Sequence, residues 1–358
     1  MSSVVAGPST QPVLEVRDLR VSFEVSQGGF RAKRQLLRAV DGVSFTLHRG
    51  ETLGLVGESG CGKSTTARAI LRLVPSVAGR ARVNLREDDG PPEWHDLLGA
   101  STSQLRGLRQ HVQMIFQDPY ASLNPRMTVG SIIAEPMQIF RLGNRRWIEE
   151  NVEKLMREVG LDPRLKRRYP HEFSGGQCQR IGIARALALD PKVIICDEPV
   201  SALDVSIRAQ VLNLLVDLQR RRGLAYVFIA HDLSVVRRIS HRIAVMYLGK
   251  IVELADDHHL YAEPLHPYTE ALLSAIPIPD PEKERARKRI ALSGDVPSPT
   301  EEFAGCPFAS RCHKVMPHCS EVMPKLLEHR PGHWASCLLH ENDAAGAPQK
   351  SDAASSPQ

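Results

Sequence analysis

The residues Gly57-Glu58-Ser59-Gly60-Cys61-Gly62-Lys63-Ser64-Thr65 fit the pattern G-x-x-x-x-G-K-S/T. Glycines at those spacings let successive backbone N–H groups turn inward onto phosphate oxygens, helped by the N-terminus of a following helix. The expected chemistry is capture of ATP, with Lys63 on the β- and γ-phosphates and the Ser64 hydroxyl on Mg²⁺. A second group, Lys192-Val-Ile-Ile-Cys-Asp197-Glu198-Pro199, is an apolar run ending in two carboxylates. Alone, two acids after a strand read as a solvated loop or a helix cap. Beside a phosphate-binding loop, Asp197 is placed to hold Mg²⁺ through water and Glu198 to polarise the attacking water as general base. Between these groups lies Phe173-Ser174-Gly175-Gly176-Gln177. Ser174 can cap the helical run that follows, and paired glycines let the backbone approach a phosphate closely. Its position shortly before Asp197 and Glu198 lifts it above a plain helix cap.

The chain has seven cysteines. Cys61, Cys178 and Cys196 lie singly within these motifs and read as structural. Cys306, Cys312, Cys319 and Cys337 are separated by five, six and seventeen residues. Four thiolates so grouped can ligate a tetrahedral zinc or a [4Fe–4S] cluster, or remain reduced and free. The gaps exceed those usual for zinc knuckles. His313, His318 and His333 lie nearby, and no spacing selects one of them.

The elements that must position these groups follow from periodicity. Val13 to Phe23 and Val40 to Leu47 alternate like half-buried strands, with Gly28 to Arg38 read as an exposed basic loop. Glu51 to Val56 is a short apolar strand entering the glycine loop, and Lys63 to Val74 has helical spacing. Residues 79–104 are polar and broken by Asp88-Asp89-Gly90-Pro91-Pro92, which suggests a surface hairpin and insertion. Met127 to Leu165 is mainly helical, and Ile181 to Leu189 continues as a helix after Ser174. Lys192 to Cys196 and Ala225 to Ala230 read as buried strands around an amphipathic helix, Val205 to Gln219. Strand alternating with helix predicts an α/β fold with a parallel sheet covered on both faces. After Leu260 proline becomes dense, and a linker is expected near 277–290, before a compact Cys-rich unit. The Ala/Ser/Pro-rich tail, 341–358, is expected to be disordered.

The order of motifs resembles that of ABC (ATP-binding cassette) ATPases. The resemblance implies a RecA-like parallel-sheet core with an antiparallel β subdomain, and an α-helical subdomain near 120–185, all within a cassette at 12–262. It implies that Gln117, in Ile115-Phe-Gln117-Asp-Pro, senses the γ-phosphate and Mg²⁺. His231 is then the switch histidine, Asp204 in Ser201-Ala-Leu-Asp204 contacts the opposite subunit, and Phe23 stacks on adenine, where Tyr is common in the family. Ser174 to Gln177 become the signature motif, which meets a nucleotide held by another subunit. Further stretches, Gln117 to Pro125, Arg168-Tyr-Pro-His171 and His266-Pro-Tyr-Thr-Glu-Ala-Leu-Leu273, narrow the resemblance to dipeptide/oligopeptide importer ATPases, of the dipeptide-type second subunit. That family implies a C-terminal extension, 263–340. Together with Pro307 beside a ligand, it favours the iron–sulfur reading of the four cysteines. It implies a non-identical ATPase partner, two membrane permeases and an extracytoplasmic solute-binding protein. Nickel and other small-solute importers share the architecture, so the solute stays open.

Length and composition bound the alternatives. With 358 residues, 24% charged, 42% hydrophobic and a formal net charge of +5, the chain is of ordinary globular composition. No run approaches the roughly 18 to 20 apolar residues of a membrane span. The start lacks the basic and apolar segments of a secretory signal, so the chain is expected at the cytoplasmic face of the membrane, reaching it through partners. The Cys-rich region has no aromatic–basic interleaving, which argues against a nucleic-acid partner. A non-transport ABC ATPase acting on DNA or ribosomes would carry two cassettes or a long insertion, and this chain has neither. An exporter ATPase is disfavoured by the His-Pro-Tyr segment.

Overall fold

The computed structural model describes residues 11–27, 33–74, 77–88, 90–277, 280, 289–292 and 294–341. All of the expected tail but Glu341, and most of the expected linker, lie outside the described residues. The elements in chain order are β1 (Pro12–Gln27), β2 (Lys33–His48), β3 (Thr52–Val56), α1 (Lys63–Ile70), β4 (Val77–Asn84), β5 (Trp94–Asp96), α2 (Thr102–Leu108) and β6 (Val112–Ile115). There follow α3 (Val129–Ile139), α4 (Arg145–Glu158), α5 (Gly175–Leu187), β7 (Val193–Asp197), α6 (Val205–Arg222), β8 (Ala225–Ile229), α7 (Leu233–Ile239) and β9 (Arg242–Tyr247). Last come β10 (Lys250–Asp256), α8 (Asp257–Ala262), α9 (Pro267–Ser274), β11 (Leu327–Arg330) and β12 (His333–Ala335). They form two compact units, one reaching Lys250 and including Ser298–Thr300, the other taking Ile251–Pro297 and the chain from Glu301 onward.

In the first unit β9, β3, β8, β7 and β6 lie side by side in that order, with parallel neighbours throughout. Every residue of β3, β7 and β8 is buried, as a parallel sheet covered on both faces requires. The α/β core expected from alternating strand and helix is therefore present. A separate antiparallel sheet has the order β2-β1-β4-β5. Its long pair β1–β2 runs, with register shifts on the way, from Pro12 opposite His48 to Gln27 opposite Lys33, so 33–38 is strand and not the loop expected from its basic residues. Only 28–32 lie outside the described residues there. Helix α1 ends at Ile70, short of the expected Val74, because Arg72 takes a left-handed conformation (φ 52°).

The helical lobe holds α3, α4 and α5, begun by Thr128, Asn144 and Ser174, whose side chains each accept a first-turn N–H. In the second unit, β12 pairs antiparallel with β10 and with β11. Glu253 on β10 is fully buried and accepts from the N–H groups of Leu265 (2.8 Å) and His266 (2.9 Å).

One glycine decides how tightly the core closes. A Cβ on Gly54, in β3, would lie 2.3 Å from Val236 Cγ1 and 2.6 Å from Ser240 Oγ, so a bare Cα is what allows α7 to approach the central strand. Gly54→Ala is expected to destabilise the chain by about 1–3 kcal/mol through overpacking, measured as a lowered urea midpoint at unchanged slope. An unchanged midpoint would show that α7 yields freely.

Candidate active site

Strand β3 delivers the chain into the phosphate loop at Gly57. Here backbone meets backbone: a Cβ on Gly57 (φ 150°) would lie 2.2 Å from the Met246 carbonyl oxygen, and one on Gly62 (φ 105°) 2.1 Å from that of Ala39. No side chain fits at either place. The Gly249 N–H donates to Cys61 O at 2.9 Å and braces the same loop. Gly62 caps α1 without a side chain, which leaves the first-turn N–H groups with no side-chain acceptor. Ser59 and Gly60 are exposed, Ser64 and Thr65 half-buried, and Cys61 is buried, its thiol pKa pushed up by that burial. Lys63 is 4% exposed. Its ammonium donates to Gly57 O and Glu58 O, both at 2.8 Å, and lies 3.7 Å from Cys61 Sγ.

Asp197 ends β7 and is 1% exposed. The Ser64 hydroxyl donates to its Oδ1 at 2.6 Å, while Oδ2 is buried without a hydrogen bond, 3.8 Å from Arg68 Nη2. An orphaned carboxylate oxygen beside a half-buried hydroxyl fits a hard cation with oxygen ligands, so Ser64 and Asp197 suit Mg²⁺. Glu198 is held in a left-handed backbone conformation (φ 47°). Such strain on a non-glycine residue persists where surroundings over-determine it, and functional sites are where it collects. The Gln117 side-chain amide donates to Glu198 Oε2 at 2.9 Å, and His231 Nδ1 lies 3.4 Å from the same oxygen. The structure thus brings Gln117, Glu198 and His231 together, immediately beyond Asp197, Ser64 and Lys63.

The signature residues are arranged apart from that cluster. Ser174 and Gln177 form a reciprocal capping box, the Ser174 N–H donating to Gln177 Oε1 at 3.0 Å and the Gln177 N–H to Ser174 Oγ at 3.4 Å. Ser174 is exposed; Gly175 is half-buried and Gly176 buried against Ile207 of α6. Asp204 stands exposed before α6, and Phe23 is half-buried on β1 opposite Leu37. Sequence reasoning passed over Arg68, although its place four residues after Ser64 puts it on the same helix face. It also passed over Arg208, which lines a small cavity with Glu198, Ser201 and His231.

Cys306, Cys312, Cys319 and Cys337 carry free thiols and line one small cavity within the second unit. Burial pushes the Cys306 thiol up to about 11 and Cys337 to about 12, with smaller contributions from the neighbouring cysteines. Among the described residues, no group of three or more His, Cys, Asp or Glu side chains is arranged to hold a metal ion. A zinc ion, which needs its sulfurs about 2.3 Å from one point, has no ready-made site there.

Parallel sheet, glycine loop, paired carboxylates and capped signature helix define the chain as an ABC-type ATPase. The family model described as ABC transporter matches residues 40–201. The cassette MJ0796, solved as a dimer in a post-hydrolysis state with ADP and Pi, shares the fold at a TM-score of 0.57 and 24% identity, over 68% of this chain and 98% of that one. A second family model, Oligopeptide/dipeptide transporter, C-terminal region, matches residues 252–319. The chain is 54% identical to the oligopeptide transport ATP-binding protein OppF of Salmonella typhimurium, over 91% of this chain and 96% of that protein. It is 50% identical to AppF, an oligopeptide transport ATP-binding protein of Bacillus subtilis, over 92% and 98%. The chain belongs to the ATP-binding proteins of oligopeptide and dipeptide ABC transporters.

Burial is the largest influence on Asp197 and raises its pKa above the ordinary carboxylate value, outweighing the Ser64 hydrogen bond and the charges of Arg68 and Lys63. An acid that holds its proton more tightly folded than unfolded costs stability once ionised, and the cost builds up as pH rises from the unfolded value towards the folded one and is complete above it. Asp197→Asn is therefore expected to raise the thermal midpoint of the nucleotide-free chain at about pH 7.5, with the gain vanishing below about pH 4. The same variant should lose the stabilisation that Mg²⁺ adds to bound ATP. Thermal scans across that pH range check both, and an unchanged midpoint at neutral pH would contradict the burial cost.

Proposed function

We propose that this chain is the ATP-hydrolysing half of an ATPase heterodimer that energises import of oligopeptides or dipeptides. Its nearly end-to-end likeness to OppF and AppF, C-terminal region included, carries the reading. The dimer would dock on two permease subunits fed by an extracytoplasmic solute-binding protein, at the cytoplasmic face of the membrane. Among the described residues no helix is long and apolar enough to cross a membrane, so that attachment would be peripheral.

Within the site, Lys63 and the first-turn N–H groups of α1 bind the β- and γ-phosphates, with Gly57, Ser59, Gly60, Cys61, Gly62 and Thr65 completing the cradle. Ser64 and Asp197 hold Mg²⁺, which when bound neutralises charge on the phosphates. Glu198 takes the proton of the attacking water. Gln117 and His231, both aimed at Glu198 Oε2, orient that carboxylate and the water. Phe23 offers an aromatic face for adenine. Ser174, Gly175, Gly176 and Gln177, with Asp204, serve the nucleotide held by the second ATPase.

Glu198→Gln should bind ATP with near wild-type affinity, lose turnover by about a hundredfold or more, and stay associated with the second ATPase when ATP is present. Equilibrium nucleotide binding, phosphate release and gel filtration of the pair check this together. Normal turnover would remove Glu198 as the base, and full activity of the isolated chain as a monomer would remove the dimer.

For the four cysteines we propose a [4Fe–4S] cluster with a structural role. A cluster spreads its thiolates over separate irons, so it does not need the single centre that a zinc ion would. Four thiols around one cavity support the reading, and ligation would displace the protons that burial now retains. Anaerobically purified protein should contain about four iron and four sulfide per chain, lost in Cys319→Ser. Stoichiometric zinc without sulfide would overturn it.

A further inference from the structure

The segment following Gln117 is a self-braced turn. Asp118 Oδ1 accepts from the N–H groups of Tyr120 (2.8 Å) and Ala121 (2.9 Å), and the Ser122 N–H donates to Asp118 O at 3.1 Å. The Leu123 N–H donates to Tyr120 O at 3.2 Å, and its side chain is buried. So many bonds inside one short stretch make it move as a body. At its leading edge Gln117 holds Glu198.

Two further bonds fasten the same turn to α5. The Tyr120 hydroxyl donates to Phe173 O at 3.2 Å, one residue before Ser174. Arg185 Nη1, in the last turn of the helix, donates to Ser122 O at 2.6 Å. With 13 residues, α5 is about 20 Å long, so the turn is pinned near both of its ends. A helix held at one point can pivot; a helix held at two must follow. Neither bond is needed to hold phosphate or Mg²⁺, and Arg185 spends a guanidinium on a main-chain carbonyl in surroundings whose burial disfavours its charge.

We propose that Tyr120 and Arg185 are positioning residues that carry a nucleotide-driven shift of Gln117 to the N-terminus of α5, at Ser174 to Gln177. The link itself lies within one chain. Its consequence rests on the function proposed above: Ser174 serves the nucleotide of the second ATPase, so the strut makes occupancy of one nucleotide site felt at the other.

Hydrogen–deuterium exchange on the full chain, with and without a non-hydrolysable ATP analogue and Mg²⁺, tests the link. Wild type should show a nucleotide-dependent change in amide protection across residues 174–180. Tyr120→Phe, which removes only a hydroxyl from a half-exposed ring, and Arg185→Gln should each shrink that change about threefold or more. Nucleotide affinity should stay within about twofold, and Arg185→Lys should recover part of the response. An unresponsive wild type, an undiminished response in Tyr120→Phe, or a response that falls only in step with affinity would overturn the proposal. Should Arg185→Gln fail to fold, Tyr120→Phe decides alone. The measurement uses single chains, so failure of the heterodimer reading would show separately, as full ATPase activity of the isolated monomer.

Discussion

Lys63 carries a charge where charge is costly. It is almost wholly buried, and among the described residues its hydrogen bonds go to two neutral carbonyls and a thiol, none to a carboxylate. Close to it, Asp197 is also buried, with one oxygen unsatisfied. A buried ammonium and a buried carboxylate in one poorly solvated site both gain from a ligand carrying both signs. A triphosphate with its divalent cation is such a ligand. The loop whose Gly57 and Glu58 carbonyls hold that ammonium lies directly on the backbone at Ala39 and Met246, where only glycine fits. The sheet order serves the same site, since β3 and β7 must end near each other for Ser64 to reach Asp197, with β8 between them.

What could be read from the sequence was whatever the chemistry writes in side-chain types. The glycine loop, the carboxylate pair and the Ser174 cap are short runs of distinctive residue types, and the structure places them on the expected elements, although the Ser174 cap finds its partner nearby along the chain and the two carboxylates find theirs, Ser64 and Gln117, far away along it. The strands that were legible, β3, β7 and β8, are short apolar runs buried on both faces. The basic start of β2 was not legible, because Lys33 to Arg38 form a strand only by pairing with β1, and an antiparallel edge facing water tolerates charge. The end of α1 was missed for a different reason: apolar residues continue past Ile70, but the left-handed turn at Arg72 buries Leu71 and leaves Leu73 exposed.

The least legible feature is the attachment of the Gln117 turn to α5. Both of its bonds end on main-chain carbonyls, Phe173 and Ser122, and a carbonyl has no identity in a sequence. Arg185 reads simply as a polar residue in an apolar helix. Tyr120 reads as an exposed aromatic in a loop. Side-chain-to-backbone bonds of this kind form a large share of a protein's hydrogen bonds outside its ladders, so mechanical connections made through them escape any motif.

The His-Pro-Tyr stretch shows the reverse case, a family marker whose reason is physical. His266 is the N-cap of α9, its Nδ1 accepting the Tyr268 N–H at 3.1 Å, with Pro267 at the first helical position where no N–H is required. A capping acceptor must keep a lone pair, so the ring must stay neutral. Complete burial ensures this by pulling the His266 pKa down to about 4, against the opposing pull of Glu253 and Glu270. Glu253 in turn accepts from the Leu265 and His266 N–H groups and lies 2.7 Å from His333 Nε2, so one buried carboxylate joins β10, the start of α9 and β12. Buried polar groups thus tie three parts of the second unit together. The same unit also buries Leu254, Leu260, Tyr268 and Phe308, and His266 lines the cavity that the four cysteines share.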